Sequence, residues 1–363
     1  MGDTFPTIKG AAVQAASVFL DRDGSTKKAC DLIREAGANG ARFIVLPEGF
    51  IPAHPVWFHL YPATGHLCVK LSTELFKNSV EVPGPEVTAL GEAARDADAF
   101  VVVGICEKLP GTIGTMYNTQ LFFGRDGQYL GKHQKLTPTV GERLVHAGGY
   151  GDTLTVFDTE IGHISGLICG ENSNPLAVFS LTAQNTQIHA MSWPNFFPTS
   201  GSPLGERVAV DARAFAQMSK AWVVSACGTV DEAMISLLAE NEQQEKYLRD
   251  PNISGGSVIV APNMKVIAGP MGNEEGILYG DMDLEIGVQM KLRHDFSGHY
   301  NRPDVFQLHV NRSVPQLYTE EGTATPIADM DDEAESVKSG SVIFDDQAGD
   351  TSKSLPRSVP TKV

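Results

Sequence analysis

The chain is expected to fold as a layered α/β protein with mixed sheets. Two observations point there. Strand-length apolar runs alternate with helix-period segments through the N-terminal part. Hairpin signals then recur along the chain, which a purely parallel, doubly wound sheet would not show.

Residues 7–16 read as a first strand, and 24–37 as a helix with Leu32, Ile33 and Ala36 on one face. Residues 41–46 form a second apolar strand, stopped by Pro47. Residues 54–70 are irregular and aromatic, with Pro55 and Pro62; an ordered loop of that length is often functional. A helix over 85–97 precedes a strand over 100–107. Residues 116–123 and 128–133 read as a hairpin around Arg125-Asp126-Gly127. A second hairpin is expected from 153–157 and 163–168. A helix over 176–183 and a strand over 187–192 follow. In the helix expected over 203–219, Val208, Ala212, Phe215 and Met218 recur at helical spacing. Strands over 221–226, 256–261, 265–268 and 276–281 come next, and Asp283 is placed to cap a last helix running to about residue 293. No repeat of fixed period is found.

Hydrophobic residues make up 42% of the 363-residue chain, enough for a sizeable core. The longest apolar runs, such as 100–106, are strand-length and far short of the roughly 20 residues a membrane span needs. The N-terminus has Asp3, Pro6 and Lys9 and no apolar core of a secretory signal. A formal net charge of -16 argues against nucleic acid and anionic membrane surfaces as partners. Five cysteines at irregular spacing make no disulfide framework and fit a reducing, cytoplasmic location.

One cysteine stands out. Cys169, in Gly166-Leu167-Ile168-Cys169-Gly170-Glu171-Asn172, closes an apolar strand and precedes a polar turn and Pro175. A thiol at a strand-to-helix corner sits where a nucleophile is useful. The same placement also suits a buried core cysteine. Glu48 follows the strand over 41–46, in Leu46-Pro47-Glu48-Gly49, and reads as a catalytic carboxylate or as a loop cap. Lys135 ends the strand over 128–133 and reads as catalytic or simply solvated. Glu142 is open to a surface pairing with Arg143. Their convergence is informative: Glu48, Lys135 and Cys169 each come just after a different strand, and strand ends of one sheet system meet in one crevice.

This constellation resembles the nitrilase superfamily of carbon–nitrogen hydrolases, in its true nitrilase branch. The matching pieces are Leu46-Pro47-Glu48, the Lys-His-Gln-Lys-Leu-Thr-Pro-Thr run reaching Glu142-Arg143, Cys169-Gly170-Glu171-Asn172 with Asn174-Pro175-Leu176, and Gly298-His299-Tyr300-Asn301-Arg302-Pro303. They run in the family's order over roughly residues 7–306.

The resemblance implies a four-layer α-β-β-α sandwich with mixed sheets and one hydrolase domain over 1–323. It implies Cys169 as nucleophile, Glu48 as general base, Lys135 as stabiliser of the tetrahedral intermediate, and Glu142 as the glutamate that orients Lys135 or the substrate. The implied reaction takes an organic nitrile to the carboxylic acid and ammonia through a thioimidate and a thioester, without metal or organic cofactor. The implied partners are the nitrile and further copies of the chain, as dimers and larger spiral homo-oligomers. An amidase of the same superfamily, or hydration of a nitrile or of cyanide to the amide, would use the same residues. A non-catalytic assembly protein would not need Glu48, Lys135 and Cys169 together.

Many nitrilases carry Trp after the cysteine, where this chain has Gly170; an altered preference for substrate shape is expected. His54 and Trp57 in the aromatic loop, Asn172 after the cysteine, and Trp193 at a strand end are candidate substrate-binding residues, with core packing the other reading of the aromatic segments. His54, His59, His66 and Cys68 lack the paired spacing of zinc modules, so no metal site is expected. Gly111-Thr112-Ile113-Gly114 opens no helix pattern, which removes a nucleotide-binding reading. Residues 324–363 are rich in Asp, Glu, Ser and Gly and read as an acidic, disordered tail.

Overall fold

A computed structural model describes residues 2–198, 201–319 and 321–322. The large compact unit ends at Val314. The acidic segment over 324–363 lies outside the described residues.

The N-terminal half builds one sheet and its covering helices. Strand β1 (Thr7–Gln14) leads to helix α1 (Arg22–Ala38), whose cap Asp21 accepts from the Gly24 N–H. Strand β2 (Ala41–Val45) follows, then helix α2 (His66–Asn78) and helix α3 (Pro85–Ala97), which starts on proline and stops at left-handed Asp98. Strands β3 (Phe100–Lys108), β4 (Met116–Phe123) and β5 (Tyr129–Gln134) close this half. The sheet order is β11-β1-β2-β3-β4-β5, with β1, β2 and β3 parallel and β3, β4 and β5 antiparallel; β11 (Gly276–Asp283) returns from the far end of the chain to pair with β1.

The second sheet takes β6 (Ile164–Ile168), helix α4 (Pro175–Ala183), β7 (Ile188–Trp193), helix α5 (Leu204–Ser219) and β8 (Trp222–Cys227), then helices α6 (Glu232–Leu238) and α7 (Glu242–Leu248), and strands β9 (Val258–Val260) and β10 (Val266–Ala268). Its order is β10-β9-β8-β7-β6, with β6, β7 and β8 parallel. Helix α8 (Glu285–Arg293) follows β11, and Asp283 accepts from the Glu285 N–H at its start.

These elements stack in four layers. Ile33 and Ala36 of α1 and Leu90 and Ala94 of α3 pack on one face of the first sheet. The other face, with Phe43, Val45, Phe100 and Val102, meets Ile188, Ala190, Trp222 and Val224 of the second sheet. The outer face of the second sheet packs against Val178 and Leu181 of α4 and Val208, Ala212 and Phe215 of α5. Strands covered on both faces need apolar residues at every position, which is why β3 and β8 show no polar alternation. The α-β-β-α sandwich with mixed sheets is therefore the architecture expected from the sequence.

Two local expectations are corrected, and two helices are added. Residues 153–157 do not form a strand; they touch the second sheet through one bridge, Phe157 to Ile164, and β6 pairs in parallel with β7 instead. Residues 54–70 are not irregular throughout. Val56–His59 is a 3-10 turn, and α2 starts at His66 and buries Cys68, Leu71 and Leu75. Helices α6 and α7 are additions to the elements expected from the sequence. Asp231 and Asn241 cap them, and Met234, Ile235, Leu238 and Leu248 pack with Trp57 and Phe196. Among the described residues, no helix is long and apolar enough to cross a membrane.

Candidate active site

Glu48, Lys135 and Cys169 follow β2, β5 and β6, and the two sheets bring these strand ends together. Polar side chains tie the sheets here: Ser192 at the end of β7 donates to the Leu46 carbonyl at 2.9 Å and accepts from Gln120 of β4 at 2.9 Å. The Glu48 N–H donates to the Trp193 carbonyl at 3.1 Å. Gly104 lets β3 pass directly under this turn, since a Cβ there would sit 2.1 Å from the Pro47 carbonyl oxygen.

Glu142 arrives on a 3-10 turn, Val140–Leu144, that begins with Val140 at φ +50°. Its carboxylate is saturated. Oε2 accepts from Lys135 Nζ at 2.7 Å and the Thr139 N–H at 2.8 Å; Oε1 accepts from Asn118 Nδ2 at 2.7 Å and faces His146 Nδ1 at 3.1 Å. A carboxylate offers about four lone-pair positions, so Glu142 has no vacant one for its own proton. Burial pushes its pKa up, but the Lys135 ammonium and His146 outweigh this and hold it well below the usual carboxylate range.

Glu48 differs. Its Oε1 accepts from Lys135 Nζ at 2.7 Å and Asn118 Nδ2 at 2.6 Å, while buried Oε2 has no partner. Burial raises its pKa to about 7, with Lys135 opposing and Glu142 adding to the rise. One carboxylate is thus kept ionised, and the other is poised to exchange a proton from a free oxygen near neutrality. Lys135 is fully buried and is held charged against its burial by Glu142 and Glu48. Two of its three ammonium protons go to these carboxylates, which leaves the third for a reacting group.

Cys169 stands at φ +53°, a left-handed backbone that a non-glycine residue adopts only when its surroundings enforce it. The surroundings are neutral or already paired. Asn172 Nδ2 donates to the Cys169 carbonyl at 2.9 Å and the Leu167 carbonyl at 3.3 Å. Its Oδ1 accepts from His189 Nε2 at 2.9 Å, and His189 Nδ1 faces Ser165 Oγ at 2.7 Å with its ring stacked on Phe215. Burial holds the His189 imidazole well below its usual range, hence neutral. Glu171 bridges the sheets: it accepts the Ile168 N–H at 3.0 Å and the Leu136 N–H at 2.6 Å, and meets His133 Nε2 at 3.0 Å. Burial pushes the Cys169 thiol well up and the Glu48 charge adds to this, while Lys135 and the Gly170 N–H pull the other way. The resting sulfur is a thiol, so a base must remove its proton before attack.

The remaining sequence candidates fall into two groups. His54 lies beside the cluster, with Nδ1 3.6 Å from Glu48 Oε1, and burial pushes it down to about 3, so it is neutral. Gly170 adjoins open space: a Cβ there would meet Thr139 Oγ1 at 3.9 Å. Trp193 shares the apolar cluster around Cys169 and has an unpartnered indole N–H. Trp57 instead packs with Phe196 and α2, and the Asn172 amide is fully engaged inside the corner, which leaves it no donor for a ligand. Glu48, His54 and Glu142 place donor atoms within 4.8 Å of one another. Lys135 already supplies the positive charge between the two carboxylates.

Sequence reasoning missed Asn118, His146, Glu171 and His189. A signal existed for Asn118, which with Thr119 and Gln120 makes a polar triplet inside the buried strand β4. The others depend on contacts that no local pattern reports.

Residues 9–291 match the family described as carbon–nitrogen hydrolase. The chain is 35% identical over 311 residues to a nitrilase of Bacillus sp. (strain OxB-1), covering 85% of this chain and 89% of that one. It is 34% identical over 331 residues to a bifunctional nitrilase/nitrile hydratase of Lupinus angustifolius, covering 89% and 92%. Nit3 of Saccharomyces cerevisiae, a member of branch 10 of the nitrilase superfamily, shares the fold at TM-score 0.59 and 24% identity, covering 79% of this chain and 94% of that one. The chain belongs to the carbon–nitrogen hydrolase family, in its nitrilase branch.

Proposed function

We propose that this protein hydrolyses an organic nitrile to the carboxylic acid and ammonia, with Cys169 as nucleophile. The observation that carries this reading is the asymmetry of the two carboxylates beside the thiol: Glu142 saturated by four donors, Glu48 with one free oxygen. Glu48 Oε2 takes the Cys169 proton as sulfur bonds to the nitrile carbon, and returns it to the nitrogen, giving a thioimidate. Water adds to that carbon, with Glu48 accepting its proton. The nitrogen is protonated and leaves as ammonia, and a thioester remains. A second water, deprotonated by Glu48, releases the acid and restores the thiol. Through these steps the third Lys135 proton faces the charge that develops on the reacting group.

A second product is supported by the lupin relative, whose name couples nitrilase with nitrile hydratase. Loss of the sulfur from the tetrahedral intermediate before ammonia leaves would give the amide. The test is a panel of aryl, arylaliphatic and aliphatic nitriles, with acid, amide and ammonia quantified. Acid as main product supports the reading, and faster turnover of the matching amides would replace it with an amidase.

The hydrolase domain is assigned to 1–323 and the location to the cytoplasm, which suits five cysteines that are all unpaired and buried. Self-association is supported by apolar residues on the outer helices, where Leu176 of α4 and Val210 of α5 are both 64% exposed. Light scattering on the full chain reads the assembly size, and a monomer would overturn this part.

A further inference from the structure

Between the two carboxylates of the cluster lies a side chain to which the hydrolytic steps give no part. Asn118 is buried on β4, where it pairs with Cys106 of β3, and its carbonyl accepts the Lys135 N–H at 2.8 Å. Its Nδ2 lies 2.6 Å from Glu48 Oε1 and 2.7 Å from Glu142 Oε1. One residue thus touches the backbone of Lys135 and the side chains of both glutamates.

The direction of the amide follows from its partners. Glu142 is held ionised and can only accept, so the amide atom facing it is the nitrogen. Both amide hydrogens are then spent, one on each carboxylate, and Oδ1 is buried with no partner. A buried carbonyl left unpaired costs stability, and the fold tolerates it where both hydrogens serve the charged cluster. The consequence falls on Glu48. A carboxylate oxygen has two lone pairs, and on Oε1 both are filled, by Lys135 Nζ at 2.7 Å and by Asn118 Nδ2. A proton on Glu48 then sits on Oε2, which has no partner.

We propose that Asn118 is a positioning residue for the hydrolysis: its amide bridges Glu48 and Glu142, closes Oε1 of Glu48 to protons and leaves Oε2 as the oxygen that exchanges them. An amide does this without adding a charge, whereas a cation in its place would pull Glu48 away from neutrality. The same hydrogen bond favours the ionised form of Glu48, as a donor to a carboxylate does. The charged and titratable groups facing Glu48 are Lys135 after β5, Glu142 on its 3-10 turn, His54 from the loop after β2, Cys169 at the β6 corner and Cys227 at the end of β8, with His146 behind Glu142. Of these, only Lys135 reaches Oε1 at hydrogen-bond distance, and His54 Nδ1 stops at 3.6 Å. The second donor to that oxygen is the Asn118 amide.

The role in turnover rests on the nitrilase reading, so the test has two arms. In the first, kcat/KM on the best nitrile of the panel is measured against pH for wild type, Asn118→Leu and Asn118→Ser. Leucine keeps the bulk of the side chain and removes both donors. Loss of a donor to the ionised carboxylate raises the Glu48 pKa, so the acid limb of Asn118→Leu is expected to move up by about one pH unit or more. Asn118→Ser, with one hydroxyl hydrogen in place of two amide hydrogens, should move it the same way by less. In the second arm, alkylation of Cys169 by iodoacetamide is followed by peptide mass spectrometry across the same pH range, and the same displacement is expected. A limb that stays in place in both arms, whether or not activity falls at every pH, would assign Asn118 a merely structural role and overturn the proposal. If Asn118→Leu does not fold, an unmoved limb in Asn118→Ser overturns it instead. Absence of nitrile turnover with a displaced alkylation curve would sink the nitrilase reading and leave the role of Asn118 standing.

Discussion

The first sheet and the second sheet meet at the site with opposite chemistry. The first delivers Glu48 and Lys135 from strand ends, Asn118 from within β4 and Glu142 just beyond, all joined by short charged contacts. The second delivers Cys169 on a corner built from Asn172, neutral His189 and Ser165. Charge is gathered on one side; on the other the one carboxylate, Glu171, is spent on the Ile168 and Leu136 N–H groups and on His133. The benefit of this division is control of the proton. A corner lined by cations would hold a thiolate at rest, whereas here burial holds the sulfur as a thiol, which in the proposed mechanism gives its hydrogen to Glu48.

Four changes would break or sharpen this contrast. Removing the proposed nucleophile should have the largest effect: Cys169→Ala is expected to lower nitrile turnover by roughly 10^4-fold or more and to abolish the covalent mass adduct. Full turnover in that variant would end the mechanism. On the charged side, Glu48→Gln keeps the shape and loses the base, with an expected drop of about 10^2 to 10^4-fold. Because Glu48 must be ionised to act, wild-type kcat/KM should fall as the pH drops through about 7; a profile flat down to the ordinary carboxylate range would contradict its assignment.

On the neutral side the expected effect is structural. His189→Ala leaves Asn172 Oδ1 buried without its donor, at a cost of about 1–3 kcal/mol in a denaturant melt. Unchanged stability would mean that the corner does not depend on this ring. The smallest effect is expected from Gly170→Trp. The added side chain starts into open space beside Thr139, so stability should hold. The preference between bulky and small nitriles should shift by about tenfold. Equal preference in both proteins would remove Gly170 from the substrate pocket.

Much of the frame was legible because its cause is local. Pro85 at the first turn of α3, the Arg125-Asp126-Gly127 turn between β4 and β5, and the helical repeat of α5 all act within a few residues. Where partners are distant, the reading failed. The segment before β6 looked like half a hairpin, but β6 finds its neighbour across a helix in β7. Helices α6 and α7 are only seven residues each, and they are held because Trp57 and Phe196 offer them a surface.

The sequence alone determined most of the order of strands and helices and brought forward Glu48, Lys135, Glu142 and Cys169, because motif and period are written along the chain. Only the tertiary structure decided what these residues do to one another. Lys135 meets Glu48 across 87 positions, and Asn118 joins both carboxylates through one amide. It also set which glutamate is saturated and which is free, and it placed His146 behind Glu142. Charge states in a buried cluster depend on distance and desolvation, and neither exists until the two sheets have packed.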